Sequence, residues 1–386
     1  MIKTKNIVKK LPFFGAISKI IYDYRREKFL DKRIKKFLTN NDLPFANKAP
    51  CKYAVGYEPT IRCNLKCKMC YQGQTRALRR SEMSANEVIK IFDKLRGRVK
   101  EIKLVGGEPF VRDDIFDLIS FWEKEGERII LQTNLTLLGE KGAEKLKNHK
   151  NIRDILTSLD GPPKVHDAVR GIPRSFDKLK KSIVAIKKYR PDIPITIFAI
   201  MLLNDDFEHL FRLVDTVKEL GISTVNILFE QVYSLDEIKK AKEIFDKEFG
   251  WKDGDYRLNT QVRSPSFFPS LEVGETLKKL KKLRQYGFAK KCFVNFVPFN
   301  YYKNIDVYLG KKRAKTFCHK LLSPELRINQ TGDVIWCDVI EKSFGNLLEK
   351  TPDEIWLSPE YQKFRQYIFE KGLPICYRCC KASYLK

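Results

Sequence analysis

Short apolar runs alternate with amphipathic helical segments along residues 53–233 of the chain. The helical segments carry apolar residues at spacings of three and four, and one of them begins after a capping serine, Ser84. Alternating strands and helices predict βα units around a parallel sheet. The six strand-like runs are residues 54–61, 101–107, 129–134, 155–161, 195–204 and 225–232. Because a closed barrel of this type has eight strands, we predict an α/β fold with a partial (β/α)6 TIM-type barrel.

Polar residues follow directly after these apolar runs. In barrels of this kind the C-terminal ends of the strands carry the chemistry, so the pattern predicts a site at that end. It does not identify a catalytic side chain, because a strand-end carboxylate such as Glu230 is more often paired with Lys or Arg. The strand-end residues are Cys63, residues 106–109, Asn134, Ser158, Asp160, Asn204, Glu230 and Gln231.

Three other stretches flank the predicted barrel, which we place at residues 51–233. Residues 234–317 contain helical stretches and an aromatic-rich piece, and we expect a connector that covers the barrel mouth. Residues 318–386 contain an alternating hairpin around a Gln-Thr-Gly turn and then a helix, which predicts a small C-terminal hairpin-plus-helix domain that binds a cluster. Residues 1–50 have apolar residues at helical spacing and an excess of Lys and Arg, so we expect a basic amphipathic helical arm.

The net charge of the chain indicates which classes of molecule it can bind. The formal net charge is +26, from 74 Lys and Arg against 48 Asp and Glu. Such an excess suits an anionic substrate or cofactor, a membrane surface or nucleic acid. The excess is spread along the chain without a nucleic-acid-binding motif, so we expect no nucleic-acid partner. The arm at residues 1–50 either packs on the main domain or lies peripherally on anionic lipid.

The sequence contains neither a recognisable membrane span nor a convincing secretion signal. No apolar run approaches the roughly 20 residues that a membrane-spanning helix needs. The N-terminal sequence lacks a long apolar core and a small-residue cleavage site, so we expect a cytoplasmic protein. The ten cysteines would then lie in a reducing compartment, where clustered thiols indicate metal ligands or redox groups before disulfides.

Three cysteines, Cys63, Cys67 and Cys70, lie on one short stretch, RCNLKCKMCYQ, directly after the first predicted strand. Three thiolates can hold three irons of a [4Fe-4S] cluster and leave the fourth iron without a protein ligand. An open coordination position is a feature of catalytic metal sites. The alternatives are three structural cysteines or an incomplete zinc site.

The spacing CxxxCxxC with an aromatic residue after the third cysteine, here Tyr71, resembles the signature of the radical S-adenosylmethionine (SAM) superfamily. The resemblance implies that SAM chelates the open iron and that the reduced cluster cleaves it to a 5′-deoxyadenosyl radical, which removes a hydrogen atom from the substrate. It also implies a reductant such as flavodoxin or ferredoxin. Side-chain acids and bases cannot perform this step, so the cofactor carries it.

Further segments resemble the SAM-binding parts of that family. GGEP, at residues 106–109, ends the second strand, where family members bind the amino group of SAM. SLDG and the following HDAVRG are similar to the segment that contacts the ribose and the carboxylate, and the guanidinium of Arg170 can pair with a carboxylate through two hydrogen bonds. We expect His166 to be structural and Asn134 to be a turn-former or a ligand contact. The cofactor-binding residues implied are Tyr71, Gly106, Gly107, Glu108, Pro109, Ser158, Asp160 and Arg170.

A second set of cysteines occupies the C-terminal region. Cys318 and Cys337 form the pattern C-x13-G-x4-C around the hairpin glycine, and Cys376 and Cys379 form C-x2-C. Four thiols can close a metal site, and one alternative is a structural zinc ribbon. The pattern resembles the SPASM, or twitch, extension of radical SAM enzymes, which implies one auxiliary [4Fe-4S] cluster held by these four residues. The sequence does not decide between Cys379 and Cys380 for the fourth position.

These resemblances predict a radical SAM enzyme that acts as an oxidoreductase, such as a dehydrogenase of a small molecule or sugar. In similar proteins the auxiliary cluster takes an electron from the substrate radical or helps position the substrate. The alternatives are a maturase that modifies a peptide or protein, and an enzyme that modifies a lipid or a lipid-linked glycan. A non-catalytic metal-binding or electron-transfer protein would have no use for GGEP, SLDG and HDAVRG together.

Overall fold

The computed structural model describes residues 28, 32–36, 38–39, 47–67, 69–72, 81–201, 207–258, 262–263 and 272–385. Most of the arm predicted for residues 1–50 lies outside the described residues, as does Asn204. The strands are β1 (Tyr53–Tyr57), β2 (Val99–Leu104), β3 (Ile129–Gln132), β4 (Ile152–Ser158), β5 (Ile195–Met201), β6 (Thr224–Phe229), β7 (Tyr233–Ser234), β8 (Val262–Arg263), β9 (Phe293–Val297), β10 (Lys315–Cys318), β11 (Glu325–Ile328), β12 (Val334–Ile335) and β13 (Ala382–Leu385). The α-helices are α1 (Ala85–Lys94), α2 (Ile115–Lys124), α3 (Gly139–Lys145), α4 (Pro163–Arg170), α5 (Ser175–Tyr189), α6 (Glu208–Glu219), α7 (Leu235–Ile244), α8 (Val273–Ala289), α9 (Phe299–Lys303), α10 (Ile305–Tyr308), α11 (Pro352–Trp356) and α12 (Pro359–Glu370).

One large sheet organises the described chain, with the strand order β12-β11-β1-β2-β3-β4-β5-β6-β9. All neighbours from β11 to β9 are parallel, and β12 is antiparallel to β11. The strands predicted from the sequence form its centre, β1 to β6, and helices follow them in βα order. Within the described residues the sheet stays open between β12 and β9, which confirms the partial barrel.

Three strands, β9, β11 and β12, extend the sheet beyond the six that the sequence predicts. β9 comes from the segment expected to be a connector, and it pairs in parallel with β6. β11 comes from the predicted hairpin of the C-terminal region, and it pairs in parallel with β1 in a register that runs from Ala54↔Glu325 to Tyr57↔Ile328. The C-terminal hairpin therefore joins the barrel sheet beside its first strand. Apart from it, β10 and β13 form a separate antiparallel pair.

The two faces of the barrel sheet differ in polarity. On β2, Ile102 and Leu104 are completely buried in the hydrophobic core, which the helices cover. Their neighbours Glu101 and Lys103 are only half-buried and point to the opposite face, because side chains alternate along a strand. The interior of the barrel is therefore partly polar. None of the helices in the described part of the chain combines the length and apolar character needed to cross a membrane.

Candidate active site

The three-cysteine loop follows β1 at the C-terminal end of the barrel strands. Cys63, Cys67 and Cys70 are half-buried. The backbone N–H of Cys70 donates to the carbonyl of Cys67 over 3.2 Å. The backbone N–H of Leu65 donates to the Sγ of Cys63 over 3.4 Å. A hydrogen bond to sulfur stabilises the thiolate form that metal binding requires.

The two glycines of GGEP lie against this loop. The N–H of Gly107 donates to the carbonyl of Thr60 over 2.9 Å, and the N–H of Glu108 donates to the carbonyl of Arg62 over 2.9 Å. A Cβ on Gly106 would lie 2.6 Å from the carbonyl oxygen of Thr60, and a Cβ on Gly107 would overlap the carbonyl of Arg62. Only glycine lets the end of β2 approach the loop this closely.

Glu108 is fully buried and joins the ends of β2 and β3. Its Oε1 accepts from the Thr133 hydroxyl over 2.7 Å and from the Phe110 N–H over 3.2 Å, and its Oε2 accepts from the Asn134 N–H over 2.7 Å. Burial raises the pKa of Glu108 to about 7, and these donors oppose the rise. The carboxyl group thus fixes the loop after β3.

Asn134 connects that loop to the cysteines. Its Nδ2 donates to the Sγ of Cys63 over 3.8 Å and to the Oδ1 of Asn64 over 3.0 Å. Its own Oδ1 accepts from the backbone N–H of Thr136 over 2.8 Å. Asn134 therefore forms a turn, one of the two roles expected for it, and also contacts a cysteine sulfur.

Arg170 supports the other side of the cysteine loop. Its Nε and Nη2 donate to the two carboxylate oxygens of Asp160 over 2.7 and 2.8 Å, and its Nη1 donates to the Sγ of Cys67 over 3.7 Å. Burial alone would raise the pKa of Asp160, but Arg170 and His166 hold it at about 2. The carbonyl of Arg170 accepts from the N–H of Lys66 over 3.0 Å. The loop is therefore held from both sides.

The remaining predicted SAM contacts lie around the same rim. Pro109 is buried next to Glu108, and Ser158 ends β4 in a half-buried position. Tyr71 directly follows the third cysteine, and the guanidinium carbon of Arg257 lies 5.7 Å from the centre of its ring. All the residues that resemble SAM-binding positions thus follow the C-terminal ends of β1, β2 and β4, with Arg170 at the end of α4.

The second cysteine set is assembled from separated segments. Cys318 ends β10 opposite Ala382 of β13, whereas Cys337 follows β12 and Cys376 and Cys379 precede β13. Burial raises the pKa of Cys318 to about 12, and Cys337 adds to the rise. Burial, Cys318 and Cys337 likewise raise the pKa of Cys376. These mutual effects show that the thiols lie near one another.

Cys379 has the same local contacts as the cysteines of the first loop. Its backbone N–H donates to the carbonyl of Cys376 over 3.2 Å, and its Sγ accepts from the N–H of Lys381 over 3.4 Å. The hydrogen bond with Cys379 lowers the pKa of the neighbouring Cys380 to about 7, against the effect of burial. The same hydrogen bond raises the pKa of Cys379, so the pKa shifts favour Cys380 as the thiolate. The backbone turn and the N–H that donates to its sulfur favour Cys379 as the ligand instead.

Both cysteine sets fit iron–sulfur clusters. In the described part of the chain no three Cys, His, Asp or Glu side chains converge as the ligands of a single metal ion. A cubane needs no such convergence, because each thiolate binds a different iron. Both sets supply thiolates, the ligands that these clusters use. The two cysteines outside the sets are Cys51, which is exposed, and Cys292, which is buried.

A buried ion-pair network between the two cysteine sets is not apparent from the sequence. Glu58, directly after β1, is completely buried and pairs with Arg327 of β11. Arg327 also pairs with Asp338, which directly follows Cys337. Burial and, after it, the charges of Asp338 and Glu58 raise the pKa of Tyr71 well above its usual value. In the sequence, the two acids are recognisable by their positions, Glu58 after a strand and Asp338 after a cysteine. Their common partner Arg327 is not recognisable, because it reaches them only through the pairing of β1 with β11.

Comparisons with known proteins agree with this geometry. The family model of the radical SAM superfamily matches residues 57–217. The SPASM model, an iron–sulfur cluster-binding domain, matches residues 318–380. The second match favours an iron–sulfur site over a zinc ribbon for the second cysteine set.

Several curated relatives match most of the chain. The AdoMet-dependent heme synthase of Methanosarcina barkeri is 29% identical, over 81% of this chain and 84% of the relative. The AdoMet-dependent heme synthase of Nitratidesulfovibrio vulgaris is 26% identical, over 82% of this chain and 81% of the relative. The subtilosin biosynthesis protein AlbA of Bacillus subtilis is 27% identical, over 83% of this chain and 63% of the relative.

Solved structures share the fold. The structure of anSMEcpe with bound AdoMet superimposes with a TM-score of 0.59 at 19% identity and covers 86% of each chain. Streptococcus suis SuiB bound to its precursor peptide SuiA gives a TM-score of 0.57 at 18% identity, over 92% of this chain and 76% of SuiB. The chain is therefore an enzyme of the radical SAM superfamily, which uses SAM and [4Fe-4S] clusters and carries a SPASM iron–sulfur cluster-binding domain at residues 318–380.

Proposed function

We propose that this chain is a radical SAM oxidoreductase that acts on a small-molecule substrate inside the barrel. The observation that carries the proposal is the network of Glu58, Arg327 and Asp338, which joins the strand before one cysteine set to the residue after a cysteine of the other. A substrate held there would be within reach of both sites. The proposed ligands are Cys63, Cys67 and Cys70 for the SAM-binding cluster, and Cys318, Cys337, Cys376 and Cys379 for one auxiliary cluster.

When bound, the first cluster and SAM supply a 5′-deoxyadenosyl radical that can remove hydrogen from an unactivated carbon. The residues of the chain hold and tune that site. Asn134 donates to the sulfur of Cys63 over 3.8 Å, and Arg170 donates to the sulfur of Cys67 over 3.7 Å. Hydrogen bonds of this kind orient the ligands and adjust the reduction potential of a cluster.

Arg170 suits this supporting role better than the direct SAM contact expected from the sequence. Two of its nitrogens donate to Asp160 and the third donates to Cys67, so each nitrogen already has a partner. We therefore assign Arg170 and Asp160 to positioning of the cysteine loop. The other expected SAM contacts stay predictions: Tyr71, Gly106, Gly107, Glu108, Pro109 and Ser158.

A small molecule is the substrate class that we favour over a peptide. The polar side chains Lys103 and Arg327 occupy the inside of the barrel, where a small substrate can be surrounded. The two heme synthases also match this chain over most of their own length, which makes a tetrapyrrole one candidate substrate. AlbA matches over a smaller share of its length, and a peptide substrate of that kind is the rival.

Other expectations from the sequence stay predictions. They are a reductant such as flavodoxin or ferredoxin, a cytoplasmic location, peripheral membrane contact through residues 1–50, and the division of the chain at residues 51, 234 and 318.

Anaerobic reconstitution tests the proposed function. The holoenzyme should bind about eight irons per chain, as expected for two [4Fe-4S] clusters, and should form 5′-deoxyadenosine from SAM on reduction with dithionite. Cys63→Ala should abolish that product, whereas Cys51→Ala, at an exposed cysteine outside both sets, should leave it unchanged. No 5′-deoxyadenosine from the fully loaded wild type would overturn the proposal.

The auxiliary site is tested by separating two activities. Cys337→Ala should keep part of the SAM cleavage but should stop oxidation of substrate. Incubation with Fe-coproporphyrin III, the tetrapyrrole in the name of a further relative, the Fe-coproporphyrin III synthase of Methanosarcina barkeri, with product analysis by mass spectrometry, examines the tetrapyrrole candidate. Equal loss of SAM cleavage in Cys337→Ala and Cys63→Ala would contradict the division of roles between the two cysteine sets.

A further inference from the structure

One of the two polar side chains named inside the barrel, Lys103, has been given no specific ligand so far. Lys103 lies on β2 between Ile102 and Leu104, which are completely buried in the core. Lys103 therefore points to the opposite face, into the barrel interior. We propose that Lys103 binds a carboxylate group of the substrate there, an inference that rests on the proposed function and specifies its substrate class.

The register of the sheet fixes where Lys103 stands. Gly56 of β1 lies between Lys103 of β2 and Arg327 of β11 in one layer of the barrel. Neighbouring strands are about 4.8 Å apart, so the Cα atoms of the two cationic residues are roughly 10 Å apart. A Cβ on Gly56 would lie 3.1 Å from the Cδ of Arg327, which means that the Arg327 side chain passes over the glycine. Gly56 thus leaves room for the Arg327 side chain and for the carboxylate of Glu325, whose Oε1 would lie 3.4 Å from the same Cβ.

The acidic side chains nearest to Lys103 are already paired. Glu325 pairs with Lys320 over 2.9 Å, and Asp338 pairs with Arg327. Within the described residues the side chain of Lys103 takes part in no hydrogen bond or ion pair. The ammonium group of Lys103 thus lies inside the barrel with no carboxylate at ion-pair distance, although the charges of Glu325 and Asp338 act on it.

The surroundings oppose the charge on Lys103. Burial and, after it, the charges of Lys381 and Arg327 lower the pKa of Lys103 to about 8. The charges of Glu325 and Asp338 oppose this shift without cancelling it. A bound anion would compensate for both the burial and the repulsion.

Carboxylate is the anion that fits this place. One unpaired ammonium group matches one negative charge, and Lys acts on an oxyanion as a point charge. Phosphate carries nearly two charges, and its sites usually combine several backbone N–H groups of a glycine-rich loop or a helix N-terminus. The glycines nearest to Lys103, Gly106 and Gly107, are packed against the three-cysteine loop instead.

Lys103 also lies between the two cysteine sets. It precedes the GGEP end of β2, which holds the three-cysteine loop. Its charge acts on the thiol of Cys380, beside the auxiliary set. A carboxylate held by Lys103 would therefore anchor the carbon skeleton of the substrate within reach of both sites.

The test uses trifluoroacetate as a carboxylate probe for the reconstituted holoenzyme. Its 19F line width, titrated at constant ionic strength, should show one saturable site in the wild type. Lys103→Met should weaken that site at least about tenfold, because the point charge is lost. Lys103→Arg should restore it in part. Lys100→Met is the matched control. Lys100 lies on the same strand but is exposed, and its substitution removes the same net charge.

Two results would overturn the assignment. One is an equal saturable site in Lys103→Met and Lys100→Met, which would place carboxylate binding elsewhere on this cationic protein. The other is loss of 5′-deoxyadenosine formation in Lys103→Met without substrate, which would make SAM the carboxylate that Lys103 holds. Lys103→Gln serves if Lys103→Met does not retain its iron. A wild type that binds trifluoroacetate through Lys103 but does not cleave SAM would overturn the proposed function and leave this binding site standing.

Discussion

The two cysteine sets share their local backbone geometry but are held in different ways. In both, a C-x-x-C turn is closed by an N–H···O bond of 3.2 Å, from Cys70 to Cys67 and from Cys379 to Cys376. In both, the N–H two residues after a cysteine donates to its sulfur over 3.4 Å. The first set lies on one loop that strand ends clamp from outside, whereas the second is brought together by pairing of distant segments.

This difference fits the two roles. A single loop of three cysteines leaves one side of the site clear, so its support has to come from contacts behind it, such as the glycines of GGEP and Arg170. A site built from β10, β13 and the hairpin can surround its cluster with thiols. Activity at the first site should therefore depend most on the residues that hold the loop in place. Assembly of the second site should depend most on how many of its cysteines are present.

The clamp on the first loop gives the largest expected effect. Gly107→Ala places a methyl group on the carbonyl of Arg62 and must push the loop away. We expect SAM cleavage to fall on the order of 100-fold, because misplacement by about 1 Å has this effect on catalytic groups. The control is Gly274→Ala, where a Cβ has open space in helix α8. Normal cleavage in Gly107→Ala would show that the close approach of β2 does not control the loop.

The next prediction concerns the loss of one cysteine from the second set. Cys379→Ser should reduce the iron content of the holoenzyme from about eight to about four, because one cluster loses a ligand. Cys380→Ser should keep about eight irons. Of these two cysteines, Cys379 is the one that lies in the C-x-x-C turn and accepts a backbone N–H hydrogen bond at its sulfur. Iron analysis after anaerobic reconstitution distinguishes the variants, and the reverse outcome would assign the ligand to Cys380.

The Arg170 clamp should affect stability as well as activity. Arg170→Met leaves the carboxylate of Asp160 buried without its bidentate partner. Breaking a buried ion pair in this way lowers the free energy of unfolding by about 3–5 kcal/mol. Arg153→Met, at an exposed position of β4, should change it by less than about 0.5 kcal/mol. Denaturant unfolding measures both variants, and equal values would mean that the pair does not hold the loop.

A pH dependence from Glu108 should be the smallest effect. Its pKa rises to about 7 in the fold, so the folded state holds a proton that the unfolded state has already released, and stability falls as pH rises from about 4.5 to about 7. The fall is at most about 3.4 kcal/mol. Glu108→Gln should remove this slope in urea unfolding between those pH values. An unchanged slope would place the titrating group elsewhere.

The sequence predicts the parts of this molecule that depend on local periodicity and spacing. The strands β1 to β6 have apolar runs of strand length, and the cysteine loop has a spacing that defines its chemistry without any tertiary contact. GGEP was recognisable for the same reason. Its physical basis became visible only in the structure, where Gly107 lies against the carbonyl of Arg62.

The parts that escaped prediction depend on which segments pair over long distances. β9 and β11 have ordinary strand character, but nothing local states that they extend the barrel sheet on its two edges. In the sequence, Lys103 and Arg327 are two of many basic residues. The strand register shows that they lie on either side of Gly56. The preference for Cys379 over Cys380 likewise rests on a backbone turn that composition does not reveal.

The parallel pairing of β1 with β11 also has a consequence for biosynthesis. The first barrel strand cannot complete its sheet until residues close to the C-terminus have left the ribosome, since Tyr57 pairs with Ile328. Contacts so far apart in sequence make folding slow and leave β1 as a bare sheet edge in the growing chain. The carboxyl group of Glu58 likewise cannot form its ion pair until Arg327 has been synthesised. We therefore expect the first cluster to be inserted after synthesis of the chain is complete, and chains that end before β11 to aggregate instead of forming a smaller working enzyme.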